Sequence, residues 1–555
     1  MTDTMTTART NARTDGAAVL AGLIADWSQG PLFHVPGEGA LELLDALAGR
    51  IGGRMVSCRH EAGAVFAAQA AGHATGQPGI AVVGRAPGAL NAMLALHTAW
   101  TDAAPMILIV GQATGRQSGR EAYLGPDFGA TFAGVAKWVG ECTDAARLPE
   151  MMLRAWSVAL SGQRGPVVLV VDEDVWHQPT AQPAPLAAPV PPQPGVSPDD
   201  AARIAEMLAR AQRPLLIVGG TGWSAGDRAA LVAYAESQAL PVLTSYRRRD
   251  LMPASSPSMA GELGIGADPA ALAAVGEADL VIVAGMRLGE INTFGTNVFA
   301  GYQLMPLPDP GRALVHIHPD MSELNRVWRA DMAVCAQPGS LFGLLDASAP
   351  VADARRAWRE RLRASRLAFT EGKPGQGPLD LREVCRILRA DLPADAMLTV
   401  GAGAYAHWPQ RHFPHDDYGT QLGPKSGAMG YGLPAAIGVQ AACPGRRVVA
   451  MAGDGCFLMT GEELATAVLH RLPVTVIVVN NSRYGAIAAS QQRQFGRVTG
   501  TDLAQVNFAD YARAMGAEGV RVATTAEFAP ALARAGQADG PVLIELVTGP
   551  EALKP

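Results

Sequence analysis

The chain has 555 residues, 48% of them apolar and 17% charged, with a formal net charge of −6. That length exceeds what one hydrophobic core organises and predicts about three domains, and the composition is that of a globular chain. The acidic balance, without a basic run, excludes a nucleic-acid surface, and no apolar stretch approaches the length of a bilayer span. Residues 1–14 are rich in Thr and Arg, lack an apolar centre, and read as a disordered tail and not a signal peptide. Cys58, Cys142, Cys335, Cys385, Cys443 and Cys456 are scattered and form no CxxC. This pattern predicts a reducing, cytoplasmic setting with neither a disulfide framework nor a zinc site.

Residues 15–178 alternate short apolar runs (PLFHV, GIAVVG, PMILIVG, PVVLVV) with helical stretches at 40–47 and 61–74. Alternation of this kind predicts a doubly wound parallel sheet of the α/β class. Residues 179–196 are rich in Pro and Ala and read as a linker. A second α/β unit spans 197–345, with strands at RPLLIVGG, LPVLTS, ADLVIVAG and ALVHIHP. Gly219-Gly220-Thr221-Gly222 follows the first of these but is not G-x-G-x-x-G. His316 and His318 share a strand face and are read as part of a sheet edge, not as a metal site. Residues 346–378 form a helical linker, with an Arg-rich helix at 352–368 before the break GKPGQGP. The third α/β unit occupies 379–555, with strands MLTVG, RRVVAMAG, VTVIVVNN and PVLIELV.

The chemistry concentrates in 451–485. An apolar strand ends in a tight turn at Gly453-Asp454-Gly455, an amphipathic helix follows at about 461–472, and a second strand ends at Asn480-Asn481. A strand–helix–strand unit makes the two strands parallel neighbours. Asp454 and Asn481 then stand at adjacent strand ends, where open α/β sheets bind ligands. A carboxylate plus an amide carbonyl is the hard oxygen set that Mg²⁺ takes with a phosphate. Flanking glycines let backbone approach a bulky anion.

Four other stretches agree with this. Cys58-Arg59-His60-Glu61 lies at a strand-to-helix junction, where the helix dipole favours the Glu61 carboxylate. Lys425-Ser426-Gly427-Ala428-Met429-Gly430 enters a helix before the 448–453 strand. Gly401-Ala402-Gly403-Ala404 is a small-residue loop whose N–H groups can reach phosphate oxygens. Next to it, His407 is read as satisfying local backbone, with a place in the pocket as the alternative. Gly84-Arg85-Ala86-Pro87-Gly88-Ala89-Leu90-Asn91 is a glycine-rich loop in the first unit, and Gly111-Gln112 and Glu121-Ala122-Tyr123-Leu124-Gly125 continue its face.

These motifs, GDG followed after 24 residues by NN above all, resemble the thiamine diphosphate (ThDP)-dependent enzymes of the acetolactate synthase-like family. Benzaldehyde lyase, pyruvate oxidase and 2-oxo acid decarboxylases are relatives. The resemblance covers nearly the whole chain and implies three doubly wound domains: pyrimidine-binding, middle and diphosphate-binding. It implies ThDP and Mg²⁺ as cofactors, with Glu61 as the catalytic activator that hydrogen-bonds the aminopyrimidine. The metal ligands it implies are the side chains of Asp454 and Asn481 and the carbonyl of Arg483. Cofactor-binding positions carried over are Glu61, Gly403, Ala404, Gly427, Met429, Gly453, Asp454, Gly455, Cys456, Asn481, Tyr484 and Gly485. The substrate pocket would draw on His34, Arg85, Asn91, Gln112, Leu124, His407, Ala488 and Gln491. Because the family completes each site from two subunits, a homodimer or homotetramer is implied. Gly285-Met286-Arg287-Leu288-Gly289 matches flavin-binding members only loosely, so FAD or ADP in the middle domain is left open, with absence of FAD preferred.

The substrate side departs from the family. Acetolactate synthases follow NN with a stretch like L-G-M-V-R-Q-W-Q, and here the Arg and Trp positions fall on Ala488 and Ser490. Losing a guanidinium that clamps a carboxylate removes about 1.5–3 kcal/mol of interaction. The expected activity is therefore a ThDP/Mg²⁺-dependent lyase, carboligase or decarboxylase. It would act on a small 2-oxo acid, aldehyde or ketone, or a 2-hydroxy ketone, through an enamine intermediate. Acetolactate synthase is the alternative within enzymes, and a catalytically silent ThDP-binding paralogue the alternative outside them.

Overall fold

The computed structural model describes residues 13–117, 120–123, 125–294, 301–375, 377–549 and 555. Three six-stranded parallel sheets organise them. The first contains β1 (Leu32–His34), β2 (Met55–Ser57), β3 (Gly79–Val83), β4 (Met106–Gln112), β5 (Trp138–Cys142) and β6 (Pro166–Asp172), in the spatial order β2-β1-β3-β4-β6-β5. The middle sheet contains β7 (Pro214–Val218), β8 (Val242–Thr244), β9 (Met259–Glu262), β10 (Leu280–Ala284), β11 (Ala313–His318) and β12 (Met332–Cys335), ordered β9-β8-β7-β10-β11-β12. The third contains β13 (Met397–Val400), β14 (Gln421–Leu422), β15 (Val448–Gly453), β16 (Thr475–Asn480), β17 (Glu518–Val522) and β18 (Val542–Val547), ordered β14-β13-β15-β16-β18-β17. First and third sheets thus share one strand order, and the middle sheet has the dinucleotide-binding order.

Interior strands such as β3, β6, β10 and β15 are buried along their whole length. Helices cover both faces, so these strands must be apolar at every position, which is why their runs are visible in the sequence. Besides β2, expected only as the strand ahead of the Cys58–Glu61 junction, the strands the sequence reading misses are β5, β9, β12, β14 and β17, and together these six are the edges of the three sheets. β12 alternates buried and exposed residues, and β14 spans only Gln421 and Leu422.

Other expectations change. Arg13–Asp15 pairs antiparallel with Pro179–Ala181, so the end of the expected tail and the start of the expected linker form a two-stranded ribbon. The strand carrying His316 and His318 lies between β10 and β12, inside the sheet and not at its edge. The turn expected at Gly453–Gly455 is the entry to a one-turn helix, Asp454–Phe457, and the helix after it is shorter than expected, Glu463–Leu469.

First and third domains share a core. The helix Glu61–Thr75 packs on the helix Gly432–Ala442, and both are rich in Ala and Gly. A Cβ at Gly438 would lie 2.1 Å from Ala67 O, so the crossing is too close for a larger residue. Phe66 and Tyr431 close it edge to face at 5.5 Å. Among the described residues no helix is long and apolar enough to cross a membrane.

Candidate functional site

At the carboxyl end of the third sheet, loops after β13, β15 and β16 surround a cavity of about 220 Å³. Its lining brings together Ala402–Tyr405, Gly427, Met429, Gly453–Cys456, Asn481 and Arg483–Ile487. The loops after β13 and β15 flank the point where strand order reverses, the usual ligand position in such sheets. Glycine is required here. A Cβ at Gly453 would lie 2.7 Å from Tyr405 Cδ1, and one at Gly455 2.6 Å from Tyr484 Cε1. Gly427 has φ +74° and would meet nothing within 4 Å, so its backbone faces open space. Cys456 Sγ packs inward, accepting from Gly430 N at 3.3 Å and lying 3.5 Å from Tyr405 OH.

Asp454 is buried, and burial raises its carboxyl above the ordinary value against opposing backbone N–H groups. Its Oδ2 accepts from Arg483 N at 3.2 Å, and it has no ion pair among the described residues. A buried carboxylate without a cationic side chain suits a metal ion. The Arg483 guanidinium turns away to Asp502, at 2.7 Å, while its carbonyl accepts from Gly485 N at 2.8 Å and keeps a second lone pair. Of the Asn pair, Asn480 is spent on structure: its Nδ2 donates to Glu545 Oε1 at 2.8 Å and Val506 O at 3.0 Å. Asn481 lines the cavity. The residues present therefore fit a diphosphate held with a divalent cation.

Glu61 opens the helix Glu61–Thr75 in the first domain and is not part of that lining. Its Oε2 accepts from Asn91 Nδ2 at 2.9 Å. A Cβ at Gly88 would lie 2.9 Å from its Oε1, so the glycine-rich 84–91 loop abuts the carboxylate. The backbone ahead of it is anchored by a residue the sequence reading misses, Glu463. This buried carboxylate takes His60 N at 2.9 Å, Arg59 N at 3.2 Å and Thr466 Oγ1 at 2.6 Å. A Cβ at Gly63 would lie 2.0 Å from Glu463 Oε1.

The expected substrate residues scatter. His34 is buried with Nε2 3.1 Å from Ser57 Oγ, and burial lowers its pKa. Gln112 donates to Asp172 Oδ1 at 2.6 Å, and Arg85 pairs with Glu173. His407 faces the middle domain, where a Cβ at Gly266 would lie 2.7 Å from its Nδ1. Ala488 is buried, and Gln491 bonds both the N–H and the carbonyl of Thr499, at 3.0 and 3.1 Å. Leu124 lies outside the described residues. The residues of that run that do line the cavity are Ala486 and Ile487, just ahead of the expected Ala488 and Ser490.

A separate cavity of about 370 Å³ opens at the switch point of the middle sheet, between the ends of β7 and β10. Gly220, Thr221, Gly285–Asn292, His316 and His318 line it, with Thr101 from the first domain and Lys425 from the third. Burial lowers His316 and His318 to about 4 and Lys425 to about 8. His316 Nε2 is 3.0 Å from Met286 O and His318 Nδ1 is 3.1 Å from Asp320 O. Features that looked unrelated in the sequence thus share one crevice.

Three doubly wound domains, with a glycine-lined carboxylate cavity in the third, define the architecture of ThDP enzymes. Family comparison matches residues 14–130 to the thiamine pyrophosphate enzyme N-terminal TPP binding domain, 201–345 to the central domain and 401–546 to the C-terminal TPP binding domain. The chain is 32% identical to the acetolactate synthase large subunit of Parasynechococcus marenigrum (strain WH8102), over 96% of this chain and 87% of that protein. It is 29% identical to the acetolactate synthase isozyme 2 large subunit of Escherichia coli (strain K12), over 93% and 92%. It is 26% identical to the acetolactate synthase of Bacillus subtilis (strain 168), over 96% and 92%. The chain belongs to the thiamine pyrophosphate-dependent enzyme family, among relatives of acetolactate synthase.

Proposed function

We propose that the chain is a ThDP- and Mg²⁺-dependent lyase or carboligase that makes or breaks a C–C bond next to a carbonyl. The observation that carries this is the convergence of Gly427, Met429, the Gly453–Cys456 loop, Asn481 and Arg483–Gly485 on one cavity. When bound, ThDP supplies the carbon nucleophile and electron sink. Asp454, Asn481 and the Arg483 carbonyl would hold the metal, and the loops at 402–405 and 453–456 would offer N–H groups to the diphosphate. Met429 would offer the bound cofactor an apolar wall. Glu61 would hold the proton that the cofactor's activation calls for, its carboxylate steadied by Asn91.

The site is read as shared between two copies of the chain. Glu61 does not line the cavity of Asp454, and exposed Leu90 and Leu94 near Glu61, with exposed Leu458 and Met459 beside Asp454, favour apolar contacts there. The substrate is a small 2-oxo acid or a 2-hydroxy ketone. Arg483, the cation on the lining among the described residues, is held by Asp502, which argues against a second carboxylate clamp. The names of the relatives favour acetolactate synthase as the second reading. Incubation with a panel of 2-oxo acids and aldehydes, with product identification, separates the two. Acetolactate from pyruvate at saturating cofactor would select the second reading, and no turnover despite bound ThDP would indicate a silent paralogue. For the middle cavity, the expected absorbance scan lacks flavin bands, and their presence would overturn that part.

A further inference from the structure

Beyond β8 the chain reads Ser245-Tyr246-Arg247-Arg248-Arg249-Asp250, and all three arginines are buried. A buried cation is tolerated only where oxygens match its donors. Here the three are matched in different directions. Arg248 lies 3.2 Å from Asp250, is bonded to Gly220 O, and reaches the third domain only at the Tyr418 hydroxyl, away from the 402–405 loop. Arg249 donates to Pro409 O at 2.9 Å and lies 3.6 Å from Glu262. Arg247 crosses to the third domain, donating from Nη1 to Val400 O and from Nη2 to Gly401 O, both at 2.8 Å. Those carbonyls end β13 and start the loop whose next residues, Ala402–Tyr405, line the cofactor cavity.

Both sides are shaped for this reach. Arg247 holds φ +60°, a left-handed conformation that disfavours any residue with a Cβ. Its backbone N–H is fixed by Glu262 Oε1 at 2.5 Å, and its guanidinium lies 5.1 Å from the Tyr246 ring centroid. Across the interface, a Cβ at Gly423 would lie 2.1 Å from Arg247 Nη1. Carbonyls at the end of a strand present negative dipoles toward a ligand there, which oppose a diphosphate. A guanidinium that takes both carbonyls removes that opposition and fixes the turn that follows.

We propose that Arg247 is the positioning residue of the diphosphate loop, acting through the Val400 and Gly401 carbonyls, a role Arg248 and Arg249 do not share. It rests on reading the cavity as the ThDP site. The test titrates ThDP with Mg²⁺ into the full-length wild type, Arg247→Lys, Gly423→Ala and Arg249→Lys, by calorimetry. The melting temperature of each cofactor-free protein is recorded alongside. The Kd for ThDP is expected to rise about tenfold to a hundredfold in Arg247→Lys and Gly423→Ala, the range for losing a bond to a charged group. Arg249→Lys is expected to lower the melting temperature and leave Kd unchanged. Should Arg247→Lys not fold, Gly423→Ala decides alone, because it keeps the charge and displaces only the guanidinium. An unchanged Kd in the folded variants, or an equal rise in Arg249→Lys, overturns the proposal. Absence of ThDP binding by the wild type would instead overturn the cofactor reading.

Discussion

The first and third domains thread six strands in the same order, yet matching strand ends carry different chemistry. In the first, the loops after β2 and β3 bring one carboxylate, Glu61, against one amide, Asn91. In the third, the loops after β13, β15 and β16 make a cradle of glycines, backbone and the buried Asp454. In the proposed reading, one sheet would present the proton-handling group and the other the anion- and metal-holding surface. The middle sheet, ordered differently, keeps a crevice of its own with Lys425 and two buried histidines. On that proposal, duplicated topology divides one task between two similar scaffolds.

Removing the proton-handling half should have the largest effect. Glu61→Gln is expected to slow C2 proton exchange of bound ThDP by about 10²–10⁴-fold, the usual contribution of a general acid–base group, and to leave ThDP affinity nearly unchanged. Exchange as fast as wild type, followed by NMR, would sink the role. Asp454→Asn tests the holding half. ThDP affinity at fixed Mg²⁺ is expected to fall about a hundredfold, and EDTA to strip ThDP from the wild type. Retention of ThDP in EDTA would remove the metal from the account.

A third prediction isolates the middle crevice. Burial lowers Lys425 from 10.5 to about 8, so between those values the unfolded chain holds a proton that the folded chain has released. Stability from this group therefore rises with pH across that window and is lowest below it. Lys425→Met is expected to stabilise the fold at pH 7 by roughly 1–3 kcal/mol and to flatten that rise, because a one-unit shift corresponds to about 1.4 kcal/mol before solvent screening. Melting curves from pH 7 to 10.5 check this, and a parallel rise in the variant would contradict it. The smallest effect concerns selectivity. Ile487→Ala is expected to shift the kcat/KM ratio toward bulkier acceptors by about tenfold, as for losing a few methylenes from a pocket wall. An unchanged ratio would place acceptor selection elsewhere.

What was legible in the sequence follows from burial. Strands covered on both faces are apolar throughout and stand out, whereas edge strands such as β12 and β17 mix buried and exposed positions and merge with loops. The cradle was legible because Gly453, Asp454 and Asn481 lie in one strand–helix–strand unit, where spacing fixes geometry. Glu463 and Arg247 were not, because their partners lie in other domains and no local pattern marks a buried charge whose acceptors are distant backbone carbonyls or amides. The substrate run misled for a helical reason: in the helix Gly485–Phe495 a shift of one or two residues changes which face meets the cavity, so Ile487 faces it and Ala488 is buried.

The division of labour between the outer domains is tested most directly by mixing Glu61→Gln and Asp454→Asn proteins under conditions that exchange subunits, then measuring C2 exchange of ThDP. If each site joins Glu61 of one copy to the cradle of another, mixed dimers carry one intact site, and roughly a quarter of wild-type exchange should return. No recovery, with subunit exchange verified independently, would contradict a shared site.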